Sequence, residues 1–231
     1  MKFIYYGHSC FGLEIDGKHF LFDPYITLNE LAANIDTTSI PADYILISHG
    51  HVDHTADAQS IAERTGAPII SNWEIIDWFG KQGIQNGHPM NLGGSWIFDF
   101  VFVKSTPALH SSSLPDGSYG GNPGGFVLKT PSETIYYSGD TALTRDMELI
   151  GEEFTIDTAI LPVGDNFTMG AKDAAKAAKL VGTKQVIGVH FDTFPYIKID
   201  HAAAVQIFED AGIKLILPKI GESLSLSKNS L

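Results

Sequence analysis

The feature that most constrains the fold is a short apolar run that ends in a dense cluster of polar side chains. Residues 44–47 (Tyr-Ile-Leu-Ile) are typical of a buried strand, and residues 48–57 follow at once with three histidines and two aspartates. Loops at strand ends commonly carry functional sites. Imidazoles and carboxylates so close together need partners, which a divalent metal ion supplies. The alternative is a solvated polar loop.

Composition narrows the class of protein. The 231 residues suffice for one large domain and include no linker-like segment, so we expect a single domain over residues 1–231. With 27 acidic and 15 basic side chains the net charge is -12, which disfavours nucleic acid and anionic membranes and favours a small-molecule substrate. The single cysteine, Cys10, and the absence of a signal-peptide core or membrane-length apolar run predict a cytoplasmic protein.

Hydrophobic patterns predict strands first and alternating strands and helices later. The dipeptide Asp16-Gly17 joins two apolar runs, 10–15 and 18–22, as expected of a hairpin. A helix is predicted to begin at residue 55 or 56 and to end at 64, and one strand is predicted over 96–104. The last third predicts strands over 158–161, 185–189 and 213–217, and helices over 170–181 and 201–211. This order indicates two sheets packed face to face with helices outside.

Three more polar residues stand at the ends of apolar runs. His110 follows residues 106–109, Asp140 follows residues 136–139, and His190 follows residues 186–189. Taken singly, each histidine could be a core residue bonded to backbone, and Asp140 could be a turn aspartate after glycine. All three stand at the carboxyl ends of apolar runs.

These motifs resemble a known family. The sequence His49-x-His51-x-Asp53-His54 is similar to the signature of the metallo-β-lactamase superfamily. The segments 7–11, 23–24 and 190–195 further resemble one branch, the uncharacterised metal-dependent hydrolases near ascorbate-6-phosphate lactonase and N-acyl-phosphatidylethanolamine phospholipase D. The resemblance covers nearly the whole chain. It implies an α+β fold, a four-layered αββα sandwich with the site at one edge of the two sheets.

The resemblance also implies a set of seven ligands for two divalent metal ions. The expected ligands are His49, His51 and His110 for the first ion, Asp53, His54 and His190 for the second, and Asp140 as the bridge between them. Each ion keeps an open position, which is typical of catalytic sites. Zinc is the first expectation, and Mn, Fe, Ni and Co are alternatives that suit the same ligands.

Such a site predicts a hydrolase in which a hydroxide bridging the ions attacks an ester, lactone or phosphoester. His8 and Asp53 are the predicted catalytic residues; His8 is expected to donate a proton to the leaving group or to contact the substrate, with a structural role as its alternative. The ions outweigh the two carboxylates, so an anionic substrate is compatible with the acidic chain. The alternative functions are a metal-stabilised binding or scaffold protein without turnover and, less favoured, a nuclease.

Two other aspartates have two interpretations each. Asp23 either orients a ligand histidine or begins a turn before Pro24, and Asp192 has the same two interpretations.

Two differences from members of the superfamily narrow the chemistry that is expected. Asp140 stands where zinc β-lactamases carry cysteine, and His51 stands where redox members carry glutamate, so neither drug resistance nor diiron oxygen chemistry is favoured.

Overall fold

The structure is a computed structural model that describes residues 1–226. Contacts divide these residues into two units. The first unit comprises Met1–Asn91, Ser111–Pro123 and residues 219–226, and the second comprises Leu92–His110 and Gly124–Pro218. Each unit contains one seven-stranded sheet. The single domain expected over the whole chain stays a prediction.

The strands, in chain order, are β1 (Lys2–Gly7), β2 (Cys10–Ile15), β3 (Lys18–Phe22), β4 (Tyr44–Leu46), β5 (Ile69–Ser71), β6 (Gly87–Pro89), β7 (Ser95–Phe98), β8 (Val101–Pro107), β9 (Gly124–Lys129), β10 (Thr134–Tyr137), β11 (Thr158–Pro162), β12 (Gln185–Val189), β13 (Lys214–Ile216) and β14 (Ser223–Ser225). The α-helices are α1 (Val52–Thr55), α2 (Ala58–Thr65), α3 (Trp73–Lys81), α4 (Asp146–Glu153), α5 (Ala171–Leu180) and α6 (His201–Asp210). Short 3-10 helices lie at Glu30–Ala32, Thr37–Ser39 and Pro195–Ile197.

In the first unit the strand order is β14-β1-β2-β3-β4-β5-β6. Strands β1 to β3 are antiparallel, and β3 to β6 are parallel. The turn between β2 and β3 has positive φ at both Asp16 and Gly17, which confirms the predicted hairpin. Strand β4 lies between β3 and β5 and carries buried Ile45 and Leu46, as its apolar sequence predicts. The loop that follows β4 therefore begins at an inner position of the sheet.

In the second unit the strand order is β13-β12-β11-β10-β9-β8-β7. Strands β7 to β10 are antiparallel, and β10 to β13 are parallel. Strand β11 is buried at every residue, and α5 buries four alanines, whose small side chains allow close packing in the core. The two mixed sheets with their helices confirm the predicted α+β class.

Several element boundaries differ from the prediction. The strand expected over 96–104 is a hairpin of β7 and β8, because Asp99 adopts a left-handed φ of 54° and reverses the chain. Because aromatic and β-branched residues flank that turn on both sides, the hydrophobic pattern there looks like one continuous strand. The helix expected from residue 55 or 56 to residue 64 is α2, which begins at Ala58, and α1, which precedes it, was not predicted. Elements α4, β6 and β14 were not predicted either.

No helix among residues 1–226 has both the length and the apolar character that crossing a bilayer would require.

Candidate metal centre

The histidine cluster lies where β4 runs into α1. Residues 47–51 form a loop that we call the histidine loop, and His51 is the N-cap residue of α1. The single turn of α1 then presents Asp53 and His54. His49 and His54 are buried, whereas His51 and Asp53 are half-buried. An inner strand, a short loop and one helical turn thus gather, within six residues, four side chains of the types that bind metal ions.

The imidazoles of the histidine loop and α1 lie close to one another. His49 Nε2 is 3.0 Å from His51 Nδ1, and the ring centroids of His49 and His54 are 4.1 Å apart. At a separation of 3.0 Å two imidazole nitrogens can share one proton or bind one metal ion. The cluster therefore brings nitrogen donors together rather than distributing them over the surface.

A buried network orients two of these rings. Asp23, which follows β3 and is fully buried, accepts hydrogen bonds from Ser48 N at 2.7 Å, from Ser48 Oγ at 2.6 Å and from His54 Nδ1 at 2.8 Å. Ser48 Oγ is also 3.0 Å from His49 Nδ1. Because the hydroxyl gives its one proton to Asp23, it accepts from His49. Both imidazoles thus carry their proton on Nδ1 and keep the Nε2 lone pair for a ligand, as metal-binding histidines do.

This network supports one of the two interpretations of Asp23, namely that it orients a histidine. Ser48 has an equal part in the network, and sequence reasoning assigned it no role. The available signal was a hydroxyl directly before the His-x-His motif, but a serine at a strand end is also a common turn residue.

His8 lies beside Asp53 in the same unit. Its Nε2 is 3.1 Å from Asp53 Oδ2, and the metal-ligating atoms of His8, Asp53 and His54 all lie within 4.8 Å of one another. The backbone of His8 has a φ of 55°, and its carbonyl accepts a hydrogen bond from Tyr5 Oη at 2.9 Å. Tyr25 meets the His8 ring edge-on at 5.5 Å between centroids. Burial, and then the negative charge of Asp53, raises the pKa of Tyr25.

In the second unit, His110, Asp140 and His190 lie together. Asp140 Oδ2 is 2.9 Å from His190 Nε2 and 3.8 Å from His110 Nε2. Asp140 and His190 are buried, and His110 is half-buried. The loops that carry His110 and Asp140 are joined, because Ala142 N donates to Leu109 O at 3.1 Å. Three strand ends therefore meet around one carboxylate.

Asp192 has a different environment from the other predicted aspartates. Its Oδ1 accepts from Ile199 N at 3.1 Å, and its Oδ2 is 2.6 Å from Nε2 of the exposed His201, the first residue of α6. These contacts fasten the segment after His190 to the start of α6. For Asp192 the structure therefore supports a structural role.

The donor set of each unit fits divalent metal ions. The first unit offers His49, His51, Asp53 and His54, and the second offers His110, Asp140 and His190. Imidazole and carboxylate ligands of this kind bind zinc and other first-row divalent ions. Hydrogen bonds from Nδ1 of His49 and His54 orient these rings in the way that a metal site requires.

Known proteins share this sequence and fold. A family model described as "Beta-lactamase superfamily domain" matches residues 18–191. Two relatives, each called a UPF0173 metal-dependent hydrolase, come from Methylacidiphilum infernorum and Flavobacterium johnsoniae; they are 56% and 51% identical over 226 residues, which cover 98% of this chain and 100% of each relative. The solved structure of Igni18, a metallo hydrolase from Ignicoccus hospitalis, is 35% identical with a TM-score of 0.88, covering 96% of this chain and 97% of Igni18.

The chain therefore belongs to the beta-lactamase superfamily and, within it, to the family of UPF0173 metal-dependent hydrolases. This membership confirms the resemblance that the His-x-His-x-Asp-His motif carries. The likeness to Igni18 confirms the predicted metallo-β-lactamase type of fold.

Proposed function

We propose that this protein is a binuclear metal-dependent hydrolase that cleaves an ester, lactone or phosphoester bond of a small soluble substrate. The observation that carries the proposal is the buried Asp23–Ser48 network, which orients His49 and His54 with Nε2 as the donor. This orientation prepares both rings to bind metal, which the metal-stabilised scaffold would also need, so turnover is what separates the two functions. The family of the chain supports the same chemistry.

Seven side chains are proposed as ligands of the two ions, with zinc as the first choice. In this assignment the ions are held by His49, His51 and His110, and by Asp53, His54 and His190, with Asp140 shared by both. When bound, two divalent ions lower the pKa of a water molecule, so that hydroxide is available near pH 7. The ions outweigh the carboxylates in charge, which favours a substrate with an anionic group.

The chain's own residues have distinct tasks in this proposal. Asp23 and Ser48 hold the ring orientation of His54 and His49, and Asp53 orients the buried His8 through the 3.1 Å contact with Nε2. His8 is proposed to donate a proton to the departing oxygen of the substrate. The carboxylate of Asp53 can only accept a hydrogen bond, so the contact places a proton on Nε2 of the His8 ring.

The role of His8 is tested by the substitution His8→Asn, since asparagine tolerates the left-handed backbone found there. Loss of a proton donor is expected to slow hydrolysis about 100-fold for substrates with an alkoxide leaving group. Nitrophenyl esters, whose leaving group needs no proton, should lose little. Steady-state rates on matched alkyl and nitrophenyl substrates distinguish this result from a structural role, which would lower both rates equally.

The proposed activity is tested with a panel of phosphodiesters, lactones, carboxylic esters and thioesters on the metal-loaded protein. We expect turnover of at least one class, and loss of that turnover when Asp140 is replaced. Tight metal binding without turnover on the whole panel would favour the scaffold alternative. Cleavage of nucleic acid instead would favour the nuclease.

A further inference from the structure

Residues Ser111–Pro123 form a segment of the first unit that we call the strap. From the sequence it is a Ser/Gly/Pro-rich loop without a predicted structure. In the structure, hydrogen bonds within the strap fix its backbone: Leu114 N donates to Ser118 O at 2.8 Å, and Gly120 N donates to Ser112 O at 3.0 Å. Leu114 is buried in the core cluster of the unit. The strap is therefore a defined element of the first unit.

One end of the strap contacts the histidine loop directly. Gly50 N, between the two histidines of the His-x-His motif, donates to Ser112 Oγ at 3.0 Å. Ser111 Oγ lies 3.3 Å from His51 Nε2, so it can accept a hydrogen bond from that nitrogen and leave the Nδ1 lone pair free to bind a metal ion. A Cβ atom on Gly50 would lie 3.2 Å from Ser113 O, so the strap packs closely on this residue.

The other end of the strap is anchored to α3. Asn72 Nδ2 donates to Gly120 O at 2.8 Å and to Asn122 O at 3.2 Å, while Asn72 Oδ1 accepts from Ile75 N as the N-cap of α3. Ser112 Oγ donates to the same Gly120 carbonyl at 2.9 Å. A continuous path of hydrogen bonds thus runs from α3 through Gly120 and Ser112 to Gly50.

A second anchor joins α3 to the strap. Trp78 Nε1 donates to Asp116 Oδ2 at 2.8 Å. Hydrogen bonds from Ser118, and then the one from Trp78, lower the pKa of Asp116 to about 2. The carboxylate that accepts from Trp78 therefore stays ionised throughout the pH range in which a hydrolase is assayed.

We propose that the strap is a positioning element for the metal-binding histidine loop, and that Asn72 and Ser112 are its positioning residues. They hold the Gly50 peptide and the His51 ring in place and so slow the release of bound metal. This inference rests on the proposed metal site. Neither residue touches the substrate in this account, so both act through the orientation of His51.

The test uses Asn72→Asp, which separates the two tasks of Asn72. Aspartate accepts from Ile75 N as asparagine does, so the cap of α3 is kept, although the lost bonds to the strap carbonyls are expected to lower thermal stability. Its carboxylate cannot donate to the carbonyls of Gly120 and Asn122 and repels both. We expect metal transfer to a chromogenic chelator to accelerate about tenfold, in the range that loss of an outer hydrogen bond around a metal ligand causes. Hydrogen exchange of the Gly50 amide should accelerate as well.

Two variants of Ser112 and one control variant extend this test. Ser112→Ala should release metal as fast as Asn72→Asp, and Ser112→Thr, which keeps the hydroxyl, should restore the slow release. Tyr119→Phe is the matched control, because it removes the exposed contact of Tyr119 Oη with Asn122 Oδ1 at 3.2 Å on the same strap but leaves the path to Gly50 intact. Release at the wild-type rate in both Asn72→Asp and Ser112→Ala would overturn the inference.

A failure of the proposed function gives a different pattern. If the wild-type protein retains no metal, the metal-binding proposal is wrong, and exchange of the Gly50 amide alone decides whether the strap positions the histidine loop. Faster exchange in Asn72→Asp than in Tyr119→Phe would support positioning, and equal exchange would refute it.

Discussion

Replacing Asp140 with asparagine is expected to reduce turnover at least about 1,000-fold while the fold is retained. Asp140 is buried, and its Oδ2 lies 2.9 Å from His190 Nε2. The amide removes the negative charge proposed to hold two cations together and directs N–H groups toward imidazole nitrogens. Losing about 4 kcal/mol of charge stabilisation in the transition state corresponds to a rate loss of this size.

The matched control for this substitution is Asp146→Asn, which changes an exposed aspartate in the first turn of α4. It should leave kcat/KM and thermal stability unchanged. The measurement is kcat/KM on the best substrate of the panel, together with circular dichroism of both variants. If Asp140→Asn kept more than about a tenth of the wild-type turnover, Asp140 would not have the central role proposed for it.

Replacing Asp23 with asparagine is expected to weaken metal binding about 10- to 100-fold, although Asp23 is not a proposed ligand. The side chain accepts from Ser48 N, Ser48 Oγ and His54 Nδ1. If the amide oxygen keeps the bond to Ser48 N, the amide N–H faces His54 Nδ1. The imidazole then moves its proton to Nε2 and can no longer donate that lone pair. A loss of stability of about 2 kcal/mol should accompany the change, because buried donors lose an acceptor.

Asparagine is the informative replacement at this position because Asp23 has a φ of 43°, which asparagine tolerates. The tautomer of His54 is read from its ¹⁵N chemical shifts, and the metal affinity from competition with a chelator. Asp43→Asn is the control, since Asp43 lies directly before β4, is half-exposed and accepts from His19 N at 2.8 Å, but has no hydrogen bond to the histidine loop. Equal metal affinities in the two variants would refute the orienting role of Asp23.

Local sequence patterns predicted the elements that carry the candidate site. Residues 44–47 are apolar throughout because β4 is an inner strand, and the Asp16-Gly17 turn has positive φ at both residues, as a tight hairpin between β2 and β3 favours. In both cases the signal lies within a few residues of the feature that it predicts. His110, Asp140 and His190 were instead grouped through the resemblance to the family, although each also follows an apolar run.

Other features depend on contacts between distant segments, which hydrophobic patterns do not record. The network of Ser48 with Asp23 joins residues 25 positions apart, and the bond from Asn72 to Gly120 joins residues 48 positions apart. The strap has no periodic pattern, since its order comes from hydrogen bonds to α3 and to the histidine loop. The hairpin of β7 and β8 was missed for the opposite reason, because apolar residues continue through its turn.

The most direct test of the central claim is the metal content of the purified protein, measured per chain by elemental analysis after exchange into metal-free buffer. The proposed site predicts about two divalent ions per chain in the wild type, and clear losses in His51→Ala and Asp140→Ala. Less than about one ion per chain in the wild type, or an unchanged content in both variants, would contradict a binuclear metal centre.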